Sequence, residues 1–321
     1  MSLAASSTET LTINGKRLMQ MMAAVASIGS LPNGGVRRLA FSPEDLAARK
    51  LVQSWMESAG MEVTIDAAGN MIGRYQGRFP LAPALATGSH LDTVPNAGIY
   101  DGTYGVLAGV EVARTLHERG IRPDHPIEVV VFADEERTMI GSKAMAGKAN
   151  LDPSFYEHPH YEPIEMGVSF IGGDWSQLPA VKRDTDSLAA FVELHVEQGP
   201  VLEAAGNPMG LVTGIVGQRR YLIDIDGSAS HAGTTPMEMR RDALVAASQV
   251  VLVVSRIGNK TGNGYGDQVA TVGAMKLSPN VANTIPGRVE MTLDIRDLSN
   301  DRLDEMVAEL EDEMGAIAAG V

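Results

Sequence analysis

Ile127-Glu128-Val129-Val130-Val131-Phe132-Ala133-Asp134-Glu135-Glu136 decides the reading of the fold. Its first six residues are a nearly continuous apolar run, the pattern of a strand buried on both faces of a sheet. The run ends in three acids. Two adjacent carboxylates do not easily serve one metal together; they divide more naturally into one ligand and one general base. Upstream, residues 84–87 read as a short strand delivering Gly88-Ser89-His90, and residues 104–119 as a helix ended by Gly120. Strand, helix, strand with reactive side chains at the strand ends is an α/β layout, and open α/β sheets put their sites there.

Further out, Leu18, Met21, Met22 and Val25 recur at helical spacing and predict a helix over residues 14–28. Ser42-Pro43-Glu44-Asp45 predicts a helix start, with Ser as N-cap, Pro first and acids next, running to about Ser58 and stopping at Gly60. Residues 63–75 read as a hairpin turning at Gly69-Asn70. Pro153, Pro159, Pro163, Gly172 and Gly173 break up residues 150–188, which predicts a long connection with short helices. Another strand is expected over residues 191–196. After Gly214 the pattern becomes strand 221–226, helix 240–256, strands 269–277 and 289–294, and helix 302–317. That order is close to a ferredoxin-like split βαβ unit without its final strand. The expected domains are therefore 1–214, catalytic and metal-binding, and 215–321.

Composition bounds the chemistry. The 321 residues suit about two domains. Forty acidic against 26 basic residues leave a formal charge of −14, which argues against a broad nucleic-acid surface. The absence of Cys excludes a disulfide scaffold, a thiolate metal site and a Cys nucleophile, and fits a cytoplasmic setting. Any catalytic metal rests on His, Asp and Glu. Met1 to Ser7 carries no positive charge ahead of an apolar stretch, and the apolar run 243–254 is too short to span a bilayer, so no membrane partner is expected.

The candidate ligands follow the strands. His90 has Asp92 two residues on, able to orient the imidazole. Asp101 sits beside Gly102 in a turn and can offer both carboxylate oxygens. His195 lies in Glu193-Leu194-His195-Val196-Glu197-Gln198-Gly199-Pro200. A lone His-x-Asp is common, and acidic pairs are mostly solvated surface; the conjunction at strand ends selects the metal reading. His158-Pro159-His160 lies in a Pro-rich connection with no motif behind it and reads as exposed loop. The seventeen Met residues, Met19, Met21 and Met22 among them, read as core filler.

Gly88-Ser89-His90-Leu91-Asp92-Thr93-Val94, Asp101-Gly102, Asp134-Glu135-Glu136, the 193–200 segment, His231-Ala232-Gly233-Thr234-Thr235-Pro236-Met237, Asn283-Thr284-Ile285-Pro286-Gly287 and Asp294-Ile295-Arg296 occur in this order. Together they resemble the N-carbamoyl-L-amino-acid hydrolases and allantoate amidohydrolases, relatives of aminoacylase and carboxypeptidase-type two-metal peptidases. The resemblance covers the chain from about residue 15. The step from His90 to Asp101, and His at 195, point to the carbamoylase branch. It implies a two-metal aminopeptidase-like catalytic domain with an inserted α+β dimerisation (lid) domain, and two divalent ions, Zn or Mn. Asp101 would bridge them, His90 and His195 would complete one site, and Glu136 would serve the other. Glu135 would be the general base and Asp92 the orienting partner of His90. His231 would reach the active site of the other subunit of a homodimer and help stabilise the oxyanion. Asn283 and Arg296 would hold the carboxylate of a small ureido-acid substrate, with Gln198 and Arg219 as further substrate-pocket candidates. Taken alone, Arg296 reads instead as an ion-pair partner of Asp294 or Asp297.

The resemblance also implies one more His ligand beyond the second domain. All seven histidines lie upstream of Val321, so the chain is read as truncated or partly represented, without the segment that closes both domains. The expected activity is hydrolysis of the carbamoyl C–N bond of an N-carbamoyl-L-amino acid. The competing readings are allantoate or another ureido acid as substrate, and a non-catalytic dimeric binding subunit.

Overall fold

The structure is a computed structural model and describes residues 11–159, 161–261 and 268–320. The chain divides into two units, Met1–Gly206 and Asn207–Val321. The sequence pattern changes a little later, at Gly214.

The first unit contains α1 (Gly15–Ser27), α2 (Pro43–Ser58), β1 (Glu62–Ile65), β2 (Met71–Tyr75), β3 (Ala84–His90), α3 (Thr103–Glu118), β4 (Ile127–Phe132), α4 (Ile140–Met145), α5 (Ile164–Phe170), β5 (Leu188–Val192) and α6 (Val201–Ala205). Helix α2 begins as its residues require: the Ser42 hydroxyl accepts from the Asp45 N–H, with Pro43 at the first position. The sheet order is β1-β2-β4-β3-β5. Strands β3, β4 and β5 run parallel, while β1 and β2 form an antiparallel hairpin against β4. Because β3 and β4 are parallel and His90 pairs with Phe132, their C-terminal ends share one edge. That register sets the 133–136 segment beside the His90–Asp92 segment. Leu18, Met21, Met22 and Val25 of α1 pack with Val52 and Met56 of α2, Val106, Leu107 and Val110 of α3, and Val129 and Val131 of β4. The 150–188 connection contains short 3-10 turns and α5, and buries Ile164, Val168 and Leu178 with Ala133 and Ile140.

Two expectations need correction. Strand β5 covers Leu188–Val192 rather than residues 191–196. Its pairing with β3 ends at Thr87 and Val192, and the Ser89 hydroxyl then donates to the Glu193 carboxylate at 2.6 Å. A side-chain bond replaces the backbone ladder, so His195 lies beyond the strand. Met19 is 53% exposed, on the outer side of α1, whereas Met21 and Met22 are buried. His158 packs its ring against Tyr161; His160 lies outside the described residues.

The second unit contains β6 (Gly217–Asp226), β7 (Ser230–His231), α7 (Ala243–Gly258), β8 (Val269–Ser278), β9 (Thr284–Ile285), β10 (Arg288–Asp297) and α8 (Asn300–Gly320). Strands β6, β10 and β8 form an antiparallel sheet in that order, and β7 pairs with β9. Ile223, Met291, Leu293 and Ile295 bury one face against Val250 and Val254 of α7 and Leu303 and Leu310 of α8. Alternate residues carry charge on the other face, where Arg288 pairs with Asp224 and Glu290. Among the described residues, no helix is long and apolar enough to cross a membrane.

Candidate active site

Two overlapping clusters form beyond the ends of β3 and β4. Ligand atoms of His90, Asp101 and His195 lie within 4.8 Å of one another, as do those of His90, Glu135 and Glu136. His195 Nε2 is 3.3 Å from Asp101 Oδ1, and His90 Nε2 is 3.6 Å from Glu135 Oε2 and 4.0 Å from Asp101 Oδ1. Each imidazole is oriented from behind. His90 Nδ1 lies 2.9 Å from the Asp92 carbonyl, and His195 Nδ1 lies 2.9 Å from the Val196 carbonyl. A carbonyl only accepts, so each Nδ1 donates, and each ring turns its Nε2 toward the carboxylates.

The backbone makes this convergence possible at two glycines. Gly102 has φ +62°, and a Cβ there would fall 2.5 Å from the His90 ring. At Gly105 a Cβ would meet the Leu194 carbonyl at 2.4 Å, so only glycine lets α3 approach the His195 segment this closely.

Asp92 is fully buried, and its carboxylate does two different things. Oδ2 accepts the Glu136 N–H at 3.1 Å, while Oδ1 faces His90 Nδ1 at 4.0 Å without a hydrogen-bond partner. The orientation expected of Asp92 thus runs mainly through its backbone carbonyl. Arg49, which the sequence did not single out, and Asn70, expected only as a turn residue, hold the 132–136 segment. Arg49 donates to the Phe132 and Gly69 carbonyls, and the Asn70 side-chain oxygen accepts the Ala133 N–H. No periodicity marks such residues; only the folded chain brings them to these backbone groups.

Electrostatics shows what the cluster favours. Burial pushes the His90 pKa down, but Asp92, Glu135 and Glu136 pull it up, and the carboxylates prevail. Burial raises the Glu136 pKa; His90 opposes this, and Asp101, Glu135 and Asp92 reinforce it. Burial also raises that of Asp92. Crowded carboxylates and outward-facing imidazole lone pairs form a donor set that a divalent cation fits, because its charge relieves the crowding. His90 belongs to both clusters, whereas the resemblance makes Asp101 the shared ligand. One Nε2 lone pair can serve one ion, whereas a carboxylate offers two oxygens. Here both of its oxygens accept from the Gln198 side-chain amide, at 3.0 and 2.9 Å.

In the second unit, His231 stands on the β7–β9 ladder rather than in an open turn. Its Nδ1 accepts from the Gly233 N–H at 3.1 Å, which puts the proton of a neutral ring on Nε2 as a donor. Asn283 lies beside it, its carbonyl accepting the Ala232 N–H. Arg296 binds Asp294 at 2.8 Å on the charged sheet face, the pairing expected of it as a surface residue. Arg219 is on the opposite, helix-facing side and pairs with Asp304 of α8. The structure therefore brings His231 next to Asn283 and separates Arg219 from Arg296.

Known proteins resemble the chain over most of its length. Residues 86–314 match the peptidase family M20/M25/M40. The chain is 46% identical over 301 residues to the N-carbamoyl-L-amino acid amidohydrolase of Geobacillus stearothermophilus, covering 92% of this chain and 72% of that protein. It is 38% identical over 279 residues to the allantoate amidohydrolase of Bacillus subtilis, covering 85% and 66%. An amidase of the hydantoinase/carbamoylase family from Burkholderia multivorans superposes with a TM-score of 0.87 at 42% identity, over 97% of this chain and 75% of that one. The chain belongs to peptidase family M20/M25/M40, among its hydantoinase/carbamoylase-type amidohydrolases.

Proposed function

We propose that the protein is a metal-dependent amidohydrolase that cleaves the carbamoyl C–N bond of N-carbamoyl-L-amino acids. The convergence of His90, Asp101, Glu135, Glu136 and His195 carries this reading, supported by the likeness to N-carbamoyl-L-amino acid amidohydrolases.

His90, His195, Asp101 and Glu136 would hold the two divalent ions, with Asp101 as the shared ligand. The all-N/O ligand set suits Zn or Mn. When bound, such ions supply Lewis acidity that lowers the pKa of water and polarises a carbonyl oxygen. Glu135 accepts the proton of the attacking water and returns it to the leaving nitrogen. One water is consumed per ureido group, and the products are the amino acid, ammonia and carbon dioxide. Asn283 and the planar fork of Arg296 bind the substrate carboxylate, for which Arg296 exchanges its contact with Asp294. His231 donates from Nε2 to the developing oxyanion, in a homodimer formed through the 207–321 unit.

The test is ammonia release by the metal-loaded protein from N-carbamoyl-L-amino acids, run beside allantoate. Carbamoyl amino acids are expected to be the faster substrates. Glu135→Gln is expected to lose about a thousandfold in rate while retaining its metal. No release by the wild type, or an unchanged rate in Glu135→Gln, overturns the proposal. A faster rate on allantoate favours the second reading, which the Bacillus subtilis relative supports. Mixing inactive Glu135→Gln and His231→Ala chains tests the dimer: regained activity is expected if His231 serves the partner subunit's site, and none if each subunit is self-sufficient.

A further inference from the structure

Arg38 lies in the loop between α1 and α2, is 2% exposed, and has no part in the proposed chemistry. Four of its five guanidinium N–H groups have acceptors. Nε donates to the Leu91 carbonyl at 2.6 Å, Nη1 to the Val25 and Ile28 carbonyls at 3.1 Å each, and Nη2 to the Thr103 hydroxyl at 3.2 Å. Its backbone adds two bonds, accepting from the Thr93 N–H at 2.8 Å and donating to the Thr93 hydroxyl at 2.7 Å.

These acceptors belong to two ligand-bearing segments. Leu91 stands between His90 and Asp92, whose carbonyl orients the imidazole. Thr103 opens α3 directly after Asp101-Gly102. Among the described residues no backbone hydrogen bond joins the end of β3 to the start of α3, and the Arg38 side chain connects the two. A planar guanidinium with donors in fixed directions sets that spacing; a lysine ammonium has its donors on one atom and cannot span the same acceptors.

We infer that Arg38 is a positioning residue that couples the His90–Asp92 segment to the Asp101–Thr103 turn and thereby sets the geometry in which His90 and Asp101 take up a divalent cation. The inference rests on the proposed metal-dependent reading, and its test separates the two.

The full chain is titrated with Co(II), reading both affinity and the visible absorption of the bound ion. Arg38→Lys and Thr103→Val are each expected to bind about tenfold to a hundredfold more weakly, with a changed spectrum, the usual cost of losing a group that orients ligands. Thr103→Ser, which keeps the hydroxyl, is expected to restore both. The double variant Arg38→Lys/Thr103→Val is expected to bind no more weakly than Arg38→Lys alone, since both changes cut one connection. Wild-type affinity and spectrum in Thr103→Val, or full additivity in the double variant, overturns the inference. Should Arg38→Lys fail to fold, the Thr103→Val and Thr103→Ser pair still decides. A wild-type chain that binds no Co(II) overturns the metal reading itself and this inference with it.

Discussion

The two units handle polarity in opposite ways. Among the described residues, the first buries Arg38, Asp45, Arg49, Asn70, His90, Asp92, Glu111, Glu128 and Asp134, while the second buries Gln268 and Asp297. The second unit is an antiparallel sheet with an apolar face against α7 and α8 and a charged face opposite. Alternation along each strand is enough to build it. The first unit ends parallel strands at a reactive cluster, where loop backbone and charged ligands leave water and must find partners inside the protein. Asp134 shows the cost: burial pushes its carboxyl up to about 6 against the pull of Arg137 and Thr138. The lesson is that polar deletions should be severe in the first unit and mild in the second.

The sharpest way to break this contrast is Arg49→Met. It takes the ion-pair partner from the buried Asp45 carboxylate, which keeps only the Phe41 N–H, and removes the donor to the Phe132 carbonyl. An expected loss of about 4 kcal/mol is measured by denaturant unfolding. Gly102→Ala comes next. The new Cβ collides with the His90 ring, so cation affinity should fall about a hundredfold with a smaller change in stability, read by Co(II) titration.

Arg17 and Glu111 supply a pH-dependent case. Burial raises the Glu111 pKa, but hydrogen bonds from Arg17 and the Asn14 N–H outweigh it and hold the carboxyl below the usual range. A depressed carboxylate stabilises fully above its unfolded value and loses that contribution as pH falls through the folded one. Glu111→Gln should therefore cost about 2 kcal/mol at neutral pH, less than a fully buried pair because Arg17 is partly exposed. The difference from wild type should vanish in unfolding curves taken well below about pH 4. The smallest effect is expected in the second unit. Arg288→Ala removes an exposed pair network and is expected to leave the unfolding midpoint close to that of the wild type. A loss as large as that of Arg49→Met would erase the contrast between the units.

Much of the layout was legible in the residues. The Leu18–Val25 spacing marked α1, Ser42-Pro43 marked the start of α2, and the apolar run before Asp134 marked β4. These are local signals of side-chain period, capping and continuous burial. The end of β5 was not legible, because the Ser89–Glu193 bond that takes over from the ladder joins residues far apart in the chain. The buried roles of Arg38, Arg49 and Asn70 escaped for the same reason: a polar side chain looks solvated until its partners are known.

By itself, then, the sequence determined which residue types stand at the strand ends, that any ligand set must be nitrogen and oxygen without thiolate, and the order of the elements. Only the tertiary structure decided that the ends of β3 and β4 share one edge, that His90 and His195 donate from Nδ1 and present Nε2, and that buried cations hold the segments bearing the ligands. The division has a physical origin. Propensity and patterning act over a few residues, whereas hydrogen-bond geometry and desolvation depend on neighbours that only folding brings together.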